Sequence, residues 1–266
     1  MMELNEIIGY SGAFIVGLVL GLIGGGGSIL TVPLLVYFIG LNPVTATAYS
    51  LFVVGTTSLF GAIQNFRSKM VNLRVAIVFS IPALLSVYLT RRFLVPAIPD
   101  SVFIIFEFEL TKNIFIMTFF ALIMILASIS MIKPNKKVIN EQISIPLNIP
   151  LIIIEGIIIG LLTGVVGAGG GFLIIPALVL LAKLPMKLAI GTSLIIIAAK
   201  SLIGFLGDIQ NLIIDWTFLL SFTMISIIGI FVGVYTIKYI SDKKLKKGFG
   251  WFTLLIALSI LYVEIF

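Results

Sequence analysis

The residues of this chain with chemistry to offer are glycine backbones, a handful of hydroxyls and one lysine. The runs GLIGGGGSILTVP (21–33) and GVVGAGGGFLIIP (164–176) set several glycines in near succession inside apolar sequence. Glycine has low helix propensity and takes positive φ readily, so each run is expected to stop a helix. A helix that restarts after such a break presents unpaired backbone N–H groups and about half a positive charge. With no side chain in the way, a ligand can approach that backbone closely. Two such ends sum to about one positive charge, worth on the order of 4 kcal/mol to a monoanion at ~4 Å in an effective dielectric of ~20. That is chemistry for an oxyanion or a carboxylate. The candidate binding residues are Gly24, Gly25, Gly26 and Gly27 with Gly167, Gly169, Gly170 and Gly171. The alternative use of glycine in a membrane is close helix packing, which calls for one at every fourth position and not for a run.

Hydroxyls near these runs extend the candidate site: Ser28, Thr31, Thr45, Thr47 and Ser50, with Tyr49, then Thr192 and Ser193. Each has the alternative of bonding a carbonyl of its own helix. Lys200, within AIGTSLIIIAAKSLIGF, is taken as the only basic residue deep in an apolar run. An intramembrane charge of this kind is an anion partner or a coupling group, or else a side chain that snorkels to an interface. Glu155, near the start of its run, is expected at an interface.

The elements that must position these groups are membrane helices. Of the 266 residues, 60% are apolar and 11% charged, and the mean hydropathy is +1.27. So few charges cannot cover a water-facing surface, whereas about 20 apolar residues cross a ~30 Å hydrocarbon core as a helix. A β-barrel would alternate apolar and polar residues over roughly ten-residue segments; the runs here are longer and continuously apolar. The expected class is all-α and polytopic, with about ten segments: 8–23, 28–40, 46–63, 75–95, 113–132, 150–166, 171–182, 188–206, 216–240 and 249–266. The runs flanking the glycines are each too short to cross comfortably, which predicts a hairpin at each break.

The chain repeats itself. GLVLGLIGGGGSILTVPLLV from Gly17 aligns without gaps on GLLTGVVGAGGGFLIIPALV from Gly160, and both the first glycines and the prolines, Pro33 and Pro176, stand 143 residues apart. Ser50/Ser193, Ser58/Ser201 and Gly61/Gly204 keep the same offset. The expected organisation is a first transmembrane repeat at 1–132, a basic cytoplasmic linker at 133–148 and a second repeat at 149–266. Equivalent loops carry opposite charge: Arg67, Lys69 and Arg74 in one, Asp208 and Asp215 in the other. The positive-inside rule puts loop 64–74, the linker and SDKKLKK (241–247) in the cytoplasm and loop 207–215 outside. Five segments per half then invert the second repeat, the arrangement of secondary transporters with a site at the repeat interface.

Cysteine and histidine are absent, which removes thiol nucleophiles, imidazole bases and most zinc, copper and haem sites. No cofactor is expected, and no enzyme activity. The net charge of +6 falls in short clusters between apolar runs, which is orientation chemistry and not a nucleic-acid surface. Without a phosphate-binding G-x-x-x-x-G-K-[ST] loop, the expectation is a secondary carrier in the cell (inner) membrane. Its partners are a small anion, membrane lipid and a coupling ion, proton or sodium, with an oligomer open. An anion channel and a membrane-embedded enzyme are the alternatives.

The duplicated pattern GGGGSILTVPLL and GAGGGFLIIPAL, followed by AYS (48–50) and GTS (191–193), resembles the TauE/SafE family of membrane transporters, also called the toluenesulfonate uptake permease family. The resemblance covers nearly the whole chain. It implies transport of sulfur-containing anions such as sulfite or organosulfonates, often as export. Tyr49 stands where the second half has Thr192, so an aromatic ring is expected to reshape the pocket there.

Overall fold

A computed structural model describes residues 4–25, 27–99, 101–105, 108–132, 149–167, 169–180 and 182–265. Gly26 and the linker 133–148 lie outside the described residues. Ten helices among the described residues carry the fold. They are α1 Leu4–Ile23, α2 Gly27–Phe38, α3 Pro43–Arg67, α4 Leu73–Ala97, α5 Lys112–Ile132, α6 Ile149–Val166, α7 Gly171–Leu180, α8 Met186–Asp208, α9 Trp216–Thr236 and α10 Asp242–Ile265. Each of the ten apolar segments expected from the sequence is a helix. Six of them, α3, α4, α5, α6, α8 and α9, are long and apolar enough to cross a membrane. Side chains such as Leu85, Leu126 and Met224 project outward from them more than 60% exposed, as a lipid-facing surface requires.

Four details differ from the sequence expectation. The first helix starts at Leu4, four residues before the expected run at 8, and its apolar part, Gly9–Ile23, stays short of a full span. The basic stretch after Ser241 is the first turns of α10 and not a loop. Asp208 closes α8 and does not sit in the following loop. A two-stranded hairpin, β1 Ser101–Ile105 on β2 Phe108–Thr111, caps the approach to α5; its alternation was too brief to notice among apolar runs.

Packing respects the 143-residue offset. The parallel pair α1 and α9 is drawn together by small residues on both helices: Gly17 lies against Ser226 and Gly21 against Gly233, and Ser226 Oγ donates to the Ala13 carbonyl at 2.9 Å. The equivalent pair α6 and α4 uses Gly156 on Phe79, Gly160 on Ala83 and Gly164 on Thr90. Close approach through small residues substitutes in lipid for the hydrophobic drive that is missing there. The equivalent helices α3 and α8 pack on each other running antiparallel: Gly204 meets Leu51, Gly55 meets Leu202, Gly61 meets Leu194 and Gly191 meets Asn65. α5 and α10, the last helix of each half, also meet end to start, Gly250 near the start of one lying on Met131 and Ile132 at the end of the other.

Candidate functional site

Each glycine run ends a helix in the same way. Gly24 and Gly167 take left-handed φ values of 72° and 69°, and their amides donate to Leu20 and Thr163 carbonyls at 2.7 and 2.8 Å. This is the αL cap that glycine makes without strain. The chain then turns back within three or four residues into α2 or α7. The second legs are short: α2 has seven α-helical residues and a five-residue π-helical end, about 18 Å in all, and α7 has ten residues, about 15 Å.

The two tips touch. Gly25 lies backbone to backbone on Gly171, so closely that a Cβ on either would enter the other. Gly24 packs on Ile190 and Ser193 of α8, and Gly167 packs on Thr47 of α3; Thr47 and Ile190 are themselves 143 residues apart. Ser193 Oγ donates to the Gly24 carbonyl at 3.3 Å and to Ile190 at 2.8 Å. Gly169 faces Val54, Ser28 and Ser201, and Gly27 packs on Val16 and Leu20.

Lys200 sits at this junction, fully buried. Its Nζ donates to Thr163 Oγ1 at 2.5 Å and lies against Gly170, where a Cβ would collide with it. Thr163 in turn donates to the Ile159 carbonyl at 2.6 Å, which fixes its oxygen as the acceptor for the lysine. Burial at the glycine tip rules out snorkelling to an interface. An ammonium has three donors, and one hydroxyl occupies one of them.

Other sequence candidates are spent locally. Ser28 Oγ donates to the Gly25 carbonyl at 2.6 Å and Thr31 Oγ1 to that of Gly27 at 3.1 Å, so both brace the first tip. The structure does not bring the hydroxyls of Tyr49 and Thr192 to the tips. Tyr49 OH accepts the backbone N–H of Asp215, the N-cap of α9, at 2.6 Å. Thr192 Oγ1 accepts that of Asn72, the N-cap of α4, at 2.9 Å. These are one contact made twice, which explains why a phenol and a threonine hydroxyl can serve at equivalent positions: either oxygen secures the start of the fourth helix of the other half. Ser50 Oγ is buried and makes no hydrogen bond among the described residues. The same holds for Thr57, Ser58 and Ser201.

Sequence reasoning missed a buried ion pair. Arg91 is fully buried, so Lys200 is not the only basic residue inside. Arg91 Nε donates to Asp208 Oδ2 at 2.7 Å. Its Nη1 reaches Thr47 Oγ1 at 3.1 Å and the Gly164 carbonyl at 3.3 Å, and Nη2 reaches Thr47 at 3.2 Å. The guanidinium thus ties the ends of α4, α6 and α8 to the start of α3, beside the Gly167 tip. The available signal was TRRF at 90–93, an arginine pair closing an apolar run. Glu155, expected at an interface, is 9% exposed on α6 with one oxygen unpaired. An apolar cavity of about 430 Å³ opens between α1, α2 and α10, lined by Val16, Leu30, Pro33 and Ile260 among others, with no charged side chain in its lining.

Ten helices among the described residues, six of them long and apolar enough to span, with two glycine tips touching inside, define a polytopic helical membrane protein. The family described as sulfite exporter TauE/SafE matches residues 10–260, and the chain belongs to that family. It is 29% identical to a probable membrane transporter protein of Xylella fastidiosa over 93% of this chain and 92% of the relative. The probable membrane transporter protein YdhB of Bacillus subtilis is 26% identical over 83% of this chain and 85% of its own length. No solved structure matches. The protein is therefore a multi-pass membrane transporter.

Proposed function

We propose that the protein is a secondary transporter that moves a small oxyanion across the cell membrane by alternating access, binding it where the two glycine tips meet. The observation that carries this reading is Lys200: a buried ammonium set against Gly170, with a single hydroxyl as partner. A buried cation without a counter-ion is costly, and an anionic substrate supplies the missing charge. Backbone at the tips and Ser201 Oγ beside Gly169 are positioned to add donors, and Ser50, Thr57 and Ser58 hold further buried hydroxyls without a partner among the described residues. The family description, sulfite exporter, favours a sulfur-containing oxyanion or organosulfonate.

The two halves, 1–132 and 149–266, are proposed to be inverted repeats. Equivalent helices that pack antiparallel, as α3 and α8 do, are related by an axis perpendicular to them, hence one in the membrane plane. Alternating access then amounts to exchanging the two halves' conformations around a fixed centre. For export, each negative charge leaving a cell at about −100 mV gains roughly 2.3 kcal/mol; uptake needs a coupling proton or sodium ion.

The test is counterflow in proteoliposomes with radiolabelled sulfite. Saturable uptake, accelerated by unlabelled sulfite on the opposite side and abolished by Lys200→Met in folded protein, supports the carrier. Conductance that does not saturate at millimolar anion replaces it with a channel, and no sulfite-dependent flux of either kind refutes the substrate.

A further inference from the structure

The charges buried around the tips do not follow the repeat. Four charged side chains are at least nine-tenths buried among the described residues: Arg91, Glu155, Lys200 and Asp208. Arg91 and Asp208 neutralise each other at 2.7 Å. Glu155 precedes Thr163 by eight residues on α6, about 12 Å along the helix axis. The junction itself therefore holds one unneutralised cation, Lys200. Its equivalent in the first half, 143 residues earlier, is Thr57, and the equivalent of its partner Thr163 is Leu20. A duplicated site with a lysine in each half would carry two cations; this one carries one.

Three buried hydroxyls without a partner among the described residues lie on α3 and on α8, the helix that carries Lys200: Thr57, Ser58 and Ser201. The seam between these two helices is bracketed by Gly55 on Leu202 and Gly61 on Leu194, and Ser201 Oγ lies beside Gly169. Ser58 and Ser201 are repeat equivalents, so one hydroxyl comes from each half. A hydroxyl buried without a partner is an exception in a folded protein. Three on the helix of the lone ammonium and on its packed neighbour match a ligand with several acceptor oxygens and a single negative charge.

Resting on the transporter reading above, we propose that the site selects monovalent oxyanions over divalent ones, with Lys200 setting the charge and Thr57 marking the empty second cation position. A dianion in the same place leaves one negative charge buried without a counter-ion, which is strongly unfavourable. Adding a cation at position 57 supplies it.

The experiment compares two tetrahedral sulfur oxyanions of fixed charge, methanesulfonate (one charge) and sulfate (two), as competitors of labelled sulfite counterflow in proteoliposomes. Wild type is expected to be inhibited by methanesulfonate at a concentration about tenfold or more below that of sulfate, and Thr57→Lys to shift the ratio about tenfold or more toward sulfate. The methyl-for-oxygen difference is common to both proteins, so the shift isolates charge. Equal inhibition by the two anions, a wild-type preference for sulfate, or an unchanged ratio in folded Thr57→Lys overturns charge selection while leaving the transporter reading in place. Absence of any sulfite counterflow overturns the sulfite-carrier reading and, with it, the charge selection that rests on it. Should Thr57→Lys fail to fold, the wild-type ratio of the two inhibitory concentrations decides by itself.

Discussion

Replacing Asp208 with asparagine leaves the Arg91 guanidinium fully buried and deprives it of the carboxylate 2.7 Å from Nε. At an effective dielectric of ~20, two unit charges ~4 Å apart interact by about 4 kcal/mol. Removing one partner of a buried pair typically costs about 3 to 5 kcal/mol, because the other charge stays behind unpaired. At roughly 2 to 4 °C per kcal/mol for a domain of this size, Asp208→Asn is expected to melt about 6 to 20 °C below wild type in detergent, followed by intrinsic fluorescence or loss of the monodisperse peak. The repeat supplies the control. The positions equivalent to Arg91 and Asp208 are Val234 and Asn65, a neutral solution at the other end of the same fold. Arg91→Val combined with Asp208→Asn strands no charge; it loses the bonds to Thr47 and the Gly164 carbonyl, about 0.5 to 1.5 kcal/mol each, and the packing of the arginine stem, both of which the Arg91→Val single variant loses equally. The double variant should therefore be more stable than either single variant. Asp208→Asn melting within about 2 °C of wild type, or a double variant less stable than both singles, refutes the reasoning.

Gly25→Ala puts a methyl group into the Gly171 backbone; overpacking of this kind costs about 1 to 3 kcal/mol, and sulfite counterflow is expected to fall sharply while the protein still purifies as a monodisperse species. Gly21→Leu collides with Gly233 and Val234 across the α1–α9 contact and should abolish folding, seen as loss of membrane-extracted protein. Tyr49→Phe removes the acceptor for the Asp215 amide, costing about 0.5 to 1.5 kcal/mol by thermal melt, with the half-saturating sulfite concentration unchanged; a large change in that concentration would return Tyr49 to the substrate site. The native chain has no cysteine, so single introduced cysteines report topology cleanly: in intact cells a membrane-impermeant maleimide should label Ile213→Cys, at a fully exposed position, and leave Lys69→Cys unlabelled until the membrane is permeabilised. The reverse pattern overturns the proposed orientation.

The glycine hairpins were legible because a run of glycines in apolar sequence is a local signal, and it specifies the same αL cap at Gly24 and Gly167 wherever those helices lie. The helices were legible for the same reason: hydropathy fixes where lipid-crossing segments begin and end to within a few residues. Arg91 and Asp208 escaped because each looks ordinary in its own stretch, one closing a helix and the other opening a loop. They are 117 residues apart, and only packing of α4 beside α8 makes them a pair. Tyr49 and Thr192 misled for a related reason. Proximity to the tips in sequence suggested the site, but helical direction aims their hydroxyls at the N-caps of α9 and α4.

What the sequence determined by itself was composition, periodicity and duplication: an all-α membrane chain, two broken helices and a 143-residue repeat, all carried by neighbouring residues and read without knowing any long-range contact. What tertiary structure decided was which polar groups meet. That Gly25 rests on Gly171, that Lys200 reaches Thr163 and not an interface, and that Arg91 finds Asp208 all depend on how helices distant in the chain lie side by side. In a bilayer that arrangement is set by small-residue packing spread over many helices, and no single stretch of sequence encodes it.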